Sequence, residues 1–327
     1  MSANIGRARA CANIALAKYW GKSDVTYNLP AVPSISLTLD PLFTETSVEL
    51  SSALKQDELI LNGAPALGGE LTRASELLDR VRAEAGTTLR ARVESKNHFP
   101  TASGLASSAS GFAALAAAAR KAAGLPFDAR KTSALARRSS ASAARSVFGG
   151  FVELPAGVPG DDALAAEPLA PPSHWDVRIV VAVTAEGRKA VGSTDGMTHT
   201  KVTSPYYDAW VAASPALAAQ VREGIRARDL AKVGPAMEQS TLAMHACALA
   251  AGPGVLYFQP ATLAAFACVR ELRQSGQAQV FATMDAGPHV KALCLAEQVS
   301  IVSTALAAVP GVLRTLVAKP GAGVELV

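Results

Sequence analysis

Residues 97–111, NHFPTASGLASSASG, place small and hydroxyl-bearing residues directly before an apolar stretch, 112–124, made almost entirely of alanine and leucine. The N-terminus of a helix has unpaired N–H groups and partial positive charge, so it can receive an anion. Gly104 would let the backbone approach a phosphate closely, and Ser107 and Ser108 could donate to phosphate oxygens or ligate a magnesium ion. The alternative interpretation is a serine cap and tight helix packing. The segment has neither a Gly-Lys-Ser/Thr phosphate loop nor a Gly-x-Gly-x-x-Gly dinucleotide motif.

A second segment, ANIALAKYWGKSD at residues 12–24, carries two lysines four residues apart. Lys18 and Lys22 flank Tyr19, Trp20 and Gly21, and two ammonium groups beside an aromatic hydroxyl suit a polyanion. The alternative is a pair of exposed lysines at the edge of a strand or turn.

A third segment, ARRSSASAARSVFGGFVE at residues 136–153, brings Ser142 and Arg145 to one face if the chain is helical there. The arginine fork could bind a carboxylate or a phosphate. A polar helix surface that ends at Gly149-Gly150 explains the pattern equally well.

The fourth segment, FATMDAGPHVKAL, places Asp285 after an apolar strand and before Ala-Gly-Pro. A carboxylate that projects from a rigid strand into a sharp turn could act as a base or orient a hydroxyl group. An aspartate that only forms the turn is the alternative.

Hydrophobic periodicity predicts the elements that position these residues. Alternation predicts a half-buried strand pair over 34–50, and Asn62-Gly63 is a hairpin signal. Further strands are predicted at 89–98, 176–186, 279–285 and 290–296, and a surface loop at 155–175. Helices are predicted at 70–86, from the serine-rich segment to Gly124, and at 130–138, 205–225, 228–250 and 260–275.

Length and composition favour a compact protein of two domains, and the early strands followed by long helices indicate an α+β fold. The chain has 327 residues, of which 18% are charged, with 31 lysines and arginines against 27 acidic residues and a net charge of +4. No long basic run indicates nucleic acid, and no apolar stretch is long enough to span a bilayer. The four cysteines are scattered without metal spacing, which favours a reduced, cytoplasmic protein.

Taken together, these segments resemble the GHMP kinase superfamily, and most closely its diphosphomevalonate decarboxylase branch. The resemblance rests on NIALAKYWGK, LPAVPSISLTL, PTASGLASSA, RRSSASAARSVFGGFVE, STDGM and MDAGPH, which occur in that order and cover residues 12–295. It implies an N-terminal domain like domain 2 of ribosomal protein S5, here residues 1–185. A ferredoxin-like C-terminal domain, residues 186–327, would follow, with the active site in the cleft between the two.

The implied reaction is the ATP-dependent decarboxylation of mevalonate 5-diphosphate to isopentenyl diphosphate, with release of ADP, phosphate and CO₂. Magnesium would bridge the ATP phosphates. Asp285 would orient or deprotonate the tertiary hydroxyl, and Lys18 would keep that carboxylate ionised. The resemblance therefore assigns catalysis to Asp285, Lys18, Arg145 and Ser107.

The resemblance also implies which residues bind the ligands. The residues implied to bind the nucleotide are Pro100, Gly104, Leu105, Ala106, Ser107 and Ser108. The two serines would also ligate the metal. Substrate binding falls to Asn13, Tyr19, Lys22, Ser140, Ser142, Arg145, Ser193 and Met197.

Departures from the family pattern leave room for a different substrate, such as a monophosphate. His289 stands where the family usually has asparagine, and Val32-Pro33 stands where many members have Asn-Ser. Two further alternatives are a kinase that phosphorylates the tertiary hydroxyl without decarboxylation and a catalytically silent ligand-binding relative. We expect a homodimer that uses small-molecule ligands and binds neither nucleic acid nor membrane.

Overall fold

A computed structural model describes residues 4–99, 107–187 and 190–327. Within these residues the chain is an α+β protein, as the sequence predicts. The strands are β1 (Asn4–Ala17), β2 (Lys22–Asp24), β3 (Leu29–Pro30), β4 (Ser34–Ser51), β5 (Glu58–Leu61), β6 (Ala64–Pro65), β7 (Arg90–Asn97), β8 (Phe151–Leu154), β9 (Glu167–Ala170), β10 (Val177–Val183), β11 (Phe281–Thr283), β12 (Val290–Leu295), β13 (Arg314–Pro320) and β14 (Glu325–Leu326).

The helices account for most of the remaining described chain. They are α1 (Gly69–Ala85), α2 (Ser107–Ala122), α3 (Ala129–Ser139), α4 (Ala143–Ser146), α5 (Ser193–Thr203), α6 (Tyr207–Ala227), α7 (Leu230–Leu249), α8 (Pro260–Gln274) and α9 (Val299–Ala307). The predicted helices are confirmed to within a few residues, and α1 ends at Gly86 in a left-handed cap. No helix in these described ranges is long and apolar enough to cross a membrane.

Strand β4 organises the main sheet. It pairs with β1, β7, β8 and β13, and β13 in turn pairs with β10, which lies beside β12 and β11. The sheet order β11-β12-β10-β13-β4-β7-β5-β6 therefore joins the N-terminal and C-terminal parts of the chain. Strands β1 and β11 therefore belong to the same sheet.

The strand pair predicted over 34–50 is wrong. These residues form one strand, β4, because β1 pairs along its length from Leu50 back to Ile35 and leaves no turn between two halves. The register shifts between Cys11 and Ala12, so that the segment with Pro41 bulges out of the ladder. Proline has no N–H for the ladder and fits at such a bulge. The loop predicted at 155–175 also contains β9 and a short 3₁₀ turn, Pro172–His174.

The apolar helix that follows the serine-rich segment packs against β1 through small side chains. Its alanines from Ala113 to Ala119 are buried. At Gly6 of β1 a Cβ atom would lie 2.1 Å from the backbone oxygen of Ala118, so only glycine allows this approach. Tight packing at α2, the alternative interpretation of the small residues, is therefore present in the fold.

Candidate active site

Lys18 directly follows β1 and is buried within the protein. The strand is buried continuously from Ala10 to Ala17, and the Lys18 side chain is 1% exposed. Its Nζ donates to the backbone oxygen of Ala15 at 2.9 Å and to Oδ1 of Asp285 at 2.6 Å. The alternative of an exposed lysine is therefore wrong for Lys18.

Asp285 follows β11 and is the more accessible member of this ion pair, with a side chain 25% exposed. Two residues earlier, the hydroxyl of Thr283 donates to the backbone oxygen of Ala15 at 3.2 Å, the same oxygen that accepts from Lys18. Thr283 also lies 3.0 Å from the hydroxyl of Thr241 on α7. The hydroxyl of Thr283 thus links the strand before Asp285 to β1 and to α7, and the carboxylate itself is accessible to a ligand.

Opposing influences set the ionisation of this pair. Burial raises the pKa of the Asp285 carboxyl. The charges of Lys18, Lys291 and Arg145, with the hydrogen bond from Lys18, outweigh burial, and the pKa of the carboxyl lies below its usual range. Burial lowers the pKa of Lys18 more than Asp285 raises it. Asp285 is consequently an anion at neutral pH.

Arg145, on α4, brings a second cation to the same place. Its guanidinium is buried and donates to the hydroxyl of Ser34 at 2.6 Å and to Oδ1 of Asn13 at 3.3 Å. Burial lowers the pKa of Arg145 to about 10, against the opposing charge of Asp285. The arginine therefore stays charged at neutral pH with its planar fork held in one orientation.

Asn13 ties β1 to the segment that carries Arg145. Its amide nitrogen donates to the backbone oxygen of Ser142 at 3.0 Å and to the hydroxyl of Ser146 at 2.8 Å. The hydroxyls of Ser140 and Ser142 lie 3.1 Å apart just before α4. The structure therefore brings Asn13, Ser140, Ser142 and Arg145 together.

The turn after Lys18 is held by helix α6. Gly21 has a φ of 101°, and a Cβ there would lie 2.1 Å from the hydroxyl of Tyr207. The indole nitrogen of Trp210 donates to the backbone oxygen of Trp20 at 2.9 Å. Lys201 on α5 donates to the backbone oxygen of Lys22 at 3.0 Å. Helices from the C-terminal part of the chain therefore fix a turn that the N-terminal part supplies.

The side chains of this turn are partly buried polar groups. The hydroxyl of Tyr19 is buried without a hydrogen-bond partner among the described residues, and burial raises the pKa of that hydroxyl. Burial lowers the pKa of Lys22, and the charge of Arg73 lowers it further. Arg73 lies on α1.

A cavity of about 430 Å³ lies between α1, α2 and the sheet. Its polar lining comprises Thr46, Asn62, Glu70, Arg73, Ser95, Asn97, Ser107 and Ser108. Apolar residues that include Leu59, Val93 and Phe112 line the rest, and such a mixed lining suits an organic ligand. The two serines at the start of α2 thus border a cavity that Arg73 also lines.

Other residues assigned from the resemblance have different surroundings. Ser193 begins α5, and Met197 is 5% exposed in the core that also contains Trp20 and Tyr257. Pro100, Gly104, Leu105 and Ala106 lie outside the described residues. The roles assigned to all of these residues stay predictions.

Two family models match the chain almost end to end. Residues 10–165 match the diphosphomevalonate decarboxylase-like N-terminal domain, and residues 179–315 match the mevalonate 5-diphosphate decarboxylase C-terminal domain. The chain is 35% identical over 319 residues to "Diphosphomevalonate decarboxylase mvd1" of Aspergillus fumigatus, covering 91% of this chain and 79% of that protein. The chain belongs to the diphosphomevalonate decarboxylase family.

Solved structures of diphosphomevalonate decarboxylases have the same fold. The mevalonate diphosphate decarboxylase of Staphylococcus aureus superposes with a TM-score of 0.93 at 37% identity, over 99% of this chain and 98% of that one. "MDDEF in complex with MVAPP, AMPPCP and Magnesium" superposes with a TM-score of 0.91 at 40% identity over the same shares. The expected two-domain GHMP kinase fold is confirmed. The division at residues 185 and 186 stays a prediction.

Sequence reasoning missed several buried polar residues in this diphosphomevalonate decarboxylase fold. Lys291 on β12 is 1% exposed, and His245 on α7 is equally buried. Burial, followed by the charge of Lys18, lowers the pKa of His245 to about 3, so this histidine is neutral. The signal for Lys291 was a single charge inside the apolar strand sequence VKALCL. The pattern predicted the strand, but the meaning of its charged residue was missed.

Proposed function

We propose that this protein catalyses the ATP-dependent decarboxylation of mevalonate 5-diphosphate to isopentenyl diphosphate, with release of ADP, phosphate and CO₂. The observation that carries the proposal is the buried Lys18 joined to the accessible carboxylate of Asp285, beside the guanidinium of Arg145. Membership of the diphosphomevalonate decarboxylase family supports the same conclusion.

The cavity beside α2 is the proposed nucleotide site. Its volume and mixed lining suit a nucleoside, and Ser107 and Ser108 at the helix start suit its phosphates. A similar solved structure contains AMPPCP and magnesium, which supports ATP and Mg²⁺ as ligands here. The assigned residues 100 and 104–106 would complete this phosphate site.

The residues present fit a magnesium ion carried by the nucleotide. Hydroxyl oxygens such as those of Ser107 and Ser108 are suitable ligands for a hard cation. Within the described ranges there is no group of three or more histidines, cysteines and acids that could hold a metal. Phosphate oxygens would therefore supply the other ligands. When bound, magnesium neutralises phosphate charge during transfer.

Asp285 is the proposed partner of the tertiary hydroxyl of the substrate. Because its pKa lies below the usual range, the carboxylate is a weak base. In a loose phosphoryl-transfer transition state the attacking oxygen needs little deprotonation beforehand, so orientation by Asp285 contributes most, and the carboxylate accepts the proton as transfer proceeds. Lys18 keeps the carboxylate ionised until the hydroxyl of the substrate gives up its proton.

The cations around Asp285 are the proposed anchor for the two acidic ends of the substrate. Arg145, oriented by Asn13 and Ser34, would bind the carboxylate that is lost as CO₂. Tyr19 and Lys22 would bind the diphosphate, with Ser140 and Ser142 beside them. Ser193 would complete the cleft and Met197 would support it from the core.

The decarboxylation follows the phosphoryl transfer. Once the phosphate leaves the tertiary carbon of the substrate, positive charge develops on that carbon, and loss of CO₂ forms the alkene.

The test is incubation with ATP and magnesium plus mevalonate that carries no, one or two phosphates. We expect stoichiometric ADP, phosphate and CO₂ with the diphosphate, and product identified by mass. ADP without CO₂ would identify the kinase alternative, and turnover only with the monophosphate would correct the substrate.

We also propose that the protein is a homodimer and that it is cytoplasmic. Sedimentation velocity of the purified protein tests the homodimer, and fractionation of the source cells tests the location.

A further inference from the structure

Strand β12 carries a lysine into the region of Asp285. Lys291 pairs directly with Thr283 of β11, and side chains of opposed residues in an antiparallel pair lie on the same face. The hydroxyl of Thr283 points to the backbone oxygen of Ala15, which also accepts from Lys18. Lys291 therefore starts from the face of the sheet where the Lys18–Asp285 pair lies.

Lys291 does not extend to solvent from that face. Its side chain is 1% exposed. A lysine can normally place its ammonium in water by extending its four-carbon chain, and removing that ammonium from water costs several kcal/mol unless nearby groups compensate. Such burial indicates an electrostatic role within the protein.

The electrostatic surroundings connect Lys291 to Asp285. The charge of Lys291 lowers the pKa of the Asp285 carboxyl, after Lys18 and ahead of Arg145 among the cations. Among the described residues, the titratable groups that interact electrostatically with Asp285 are Lys18 from β1, Lys291 from β12, Arg145 from α4 and His245 from α7. His245 is neutral because burial lowers its pKa to about 3. Cations therefore outnumber anions in this group.

We infer that Lys291 is a positioning residue, a second ammonium that acts with Lys18 to keep Asp285 ionised for the reaction. This inference rests on the proposed function of Asp285. The two ammonium groups come from different strands, so positive charge from both β1 and β12 acts on the carboxylate. The excess of positive charge also suits a site that receives a phosphoryl group close to this carboxylate.

The test is Lys291→Met, which removes the charge and keeps an unbranched side chain of similar length. Without Lys291 one influence that lowers the pKa of Asp285 is lost, so the pKa rises and the acid limb of kcat/KM moves to higher pH. We expect kcat near neutral pH to fall at least about tenfold, because a positive charge near the transferring phosphoryl group is lost, with a smaller change in the KM for ATP. Lys291→Arg, which keeps the charge, should restore the wild-type acid limb.

Two controls separate this role from a structural one. Lys232→Met removes an exposed lysine on α7 and should leave the pH profile unchanged. The unfolding temperature of Lys291→Met, measured beside that of the wild type, checks that the variant is folded at the temperature of the kinetic assays. If Lys291→Met does not fold, Lys291→Gln provides the same comparison.

A carboxyl ¹³C NMR titration, assigned with Asp285→Asn, measures the pKa of Asp285 without turnover. A higher pKa in Lys291→Met or Lys291→Gln supports the inference. An unchanged pKa together with an unchanged acid limb overturns it. If the wild type releases no CO₂ from mevalonate 5-diphosphate, the proposed function fails, and the NMR comparison still decides whether Lys291 holds Asp285 ionised.

Discussion

Lys18 Nζ donates to Asp285 Oδ1 at 2.6 Å, although the two residues are 267 positions apart in the sequence. The lysine is sealed at the end of β1, while the carboxylate at the end of β11 is a quarter exposed. A ligand can therefore meet the carboxylate but not its partner ammonium. This asymmetry gives the two residues different functions. Asp285 contacts the reacting group, and Lys18 controls the charge of the Asp285 carboxylate.

Replacement of the carboxylate tests the first function. Asp285→Asn keeps the shape of the side chain but cannot accept a proton or pair with Lys18, so we expect kcat to fall by about 10²–10⁴-fold. ATP affinity, measured by calorimetry, should stay within about twofold, since the nucleotide is proposed to bind in the cavity beside α2. Asp176→Asn, at a carboxylate 76% exposed, is the matched control and should keep full CO₂ release. Near-wild-type turnover of Asp285→Asn would remove Asp285 from the mechanism.

The same pair makes a prediction about stability against pH. The pKa of Asp285 is lower in the folded protein than its usual value near 3.9, so its ionised form stabilises the fold above that value. This contribution is lost as the pH falls toward the folded pKa. The free-energy difference between wild type and Asp285→Asn, from urea unfolding at several pH values, should therefore be constant near neutrality and shrink below pH of about 4. A difference that grows toward acid pH would contradict the ion pair.

The sequence predicts the elements better than the contacts between them. Periodicity located α1, α3, α6, α7 and α8 because each has an apolar face and a clear end. It divided β4 wrongly, because only its pairing with β1 shows that the strand continues past Pro41. Local pattern contains no information about that distant partner.

The same limit applies to the site. The types and spacing of Lys18, Arg145 and Asp285 indicated chemistry, and the resemblance placed them in one site. Lys291 and Tyr207 were missed because the local sequence does not show which residues lie opposite the lysine of an apolar strand or the tyrosine at a helix start. Their importance comes from the residues that the fold brings opposite them, Thr283 and Gly21.

Arg145→Lys tests whether the planar guanidinium of Arg145 is needed to bind the substrate carboxylate. A lysine keeps the charge but cannot donate at once to Ser34, Asn13 and a substrate carboxylate, so we expect kcat/KM for the substrate to fall about 10–100-fold. Arg178→Lys, at a side chain 23% exposed on β10, serves as a control and should have little effect. An equal loss of ATP affinity would argue against a role on the carboxylate side of the substrate.

Gly21→Ala tests the contact between α6 and the turn of Tyr19 and Lys22. Gly276 also has a positive φ, of 73°, but a Cβ there meets nothing within 4 Å. Gly276→Ala therefore measures the effect of backbone strain alone. We expect Gly21→Ala to lower the free energy of unfolding by about 1–3 kcal/mol more than Gly276→Ala does, because the new Cβ at position 21 meets the Tyr207 ring. Gly21→Ala should also raise the KM for the diphosphate substrate, and Gly276→Ala should not. Equal effects of the two substitutions on stability and KM would show that Tyr207 does not fix this turn.

Gly111→Leu tests whether the cavity beside α2 holds the nucleotide. Gly111 lines that cavity, and a Cβ there meets nothing within 4 Å, so a leucine can extend into the cavity without displacing the helix. We expect the KM for ATP to rise at least about tenfold, equivalent to about 1.4 kcal/mol, while the unfolding temperature stays the same or rises because leucine favours helix over glycine. Gly69→Leu makes the same change at the start of α1, also in open space but outside the cavity lining, and should leave the KM for ATP unchanged. Steady-state kinetics with ATP varied at saturating substrate measures both variants, and a Gly111→Leu enzyme with wild-type KM for ATP would place the nucleotide elsewhere.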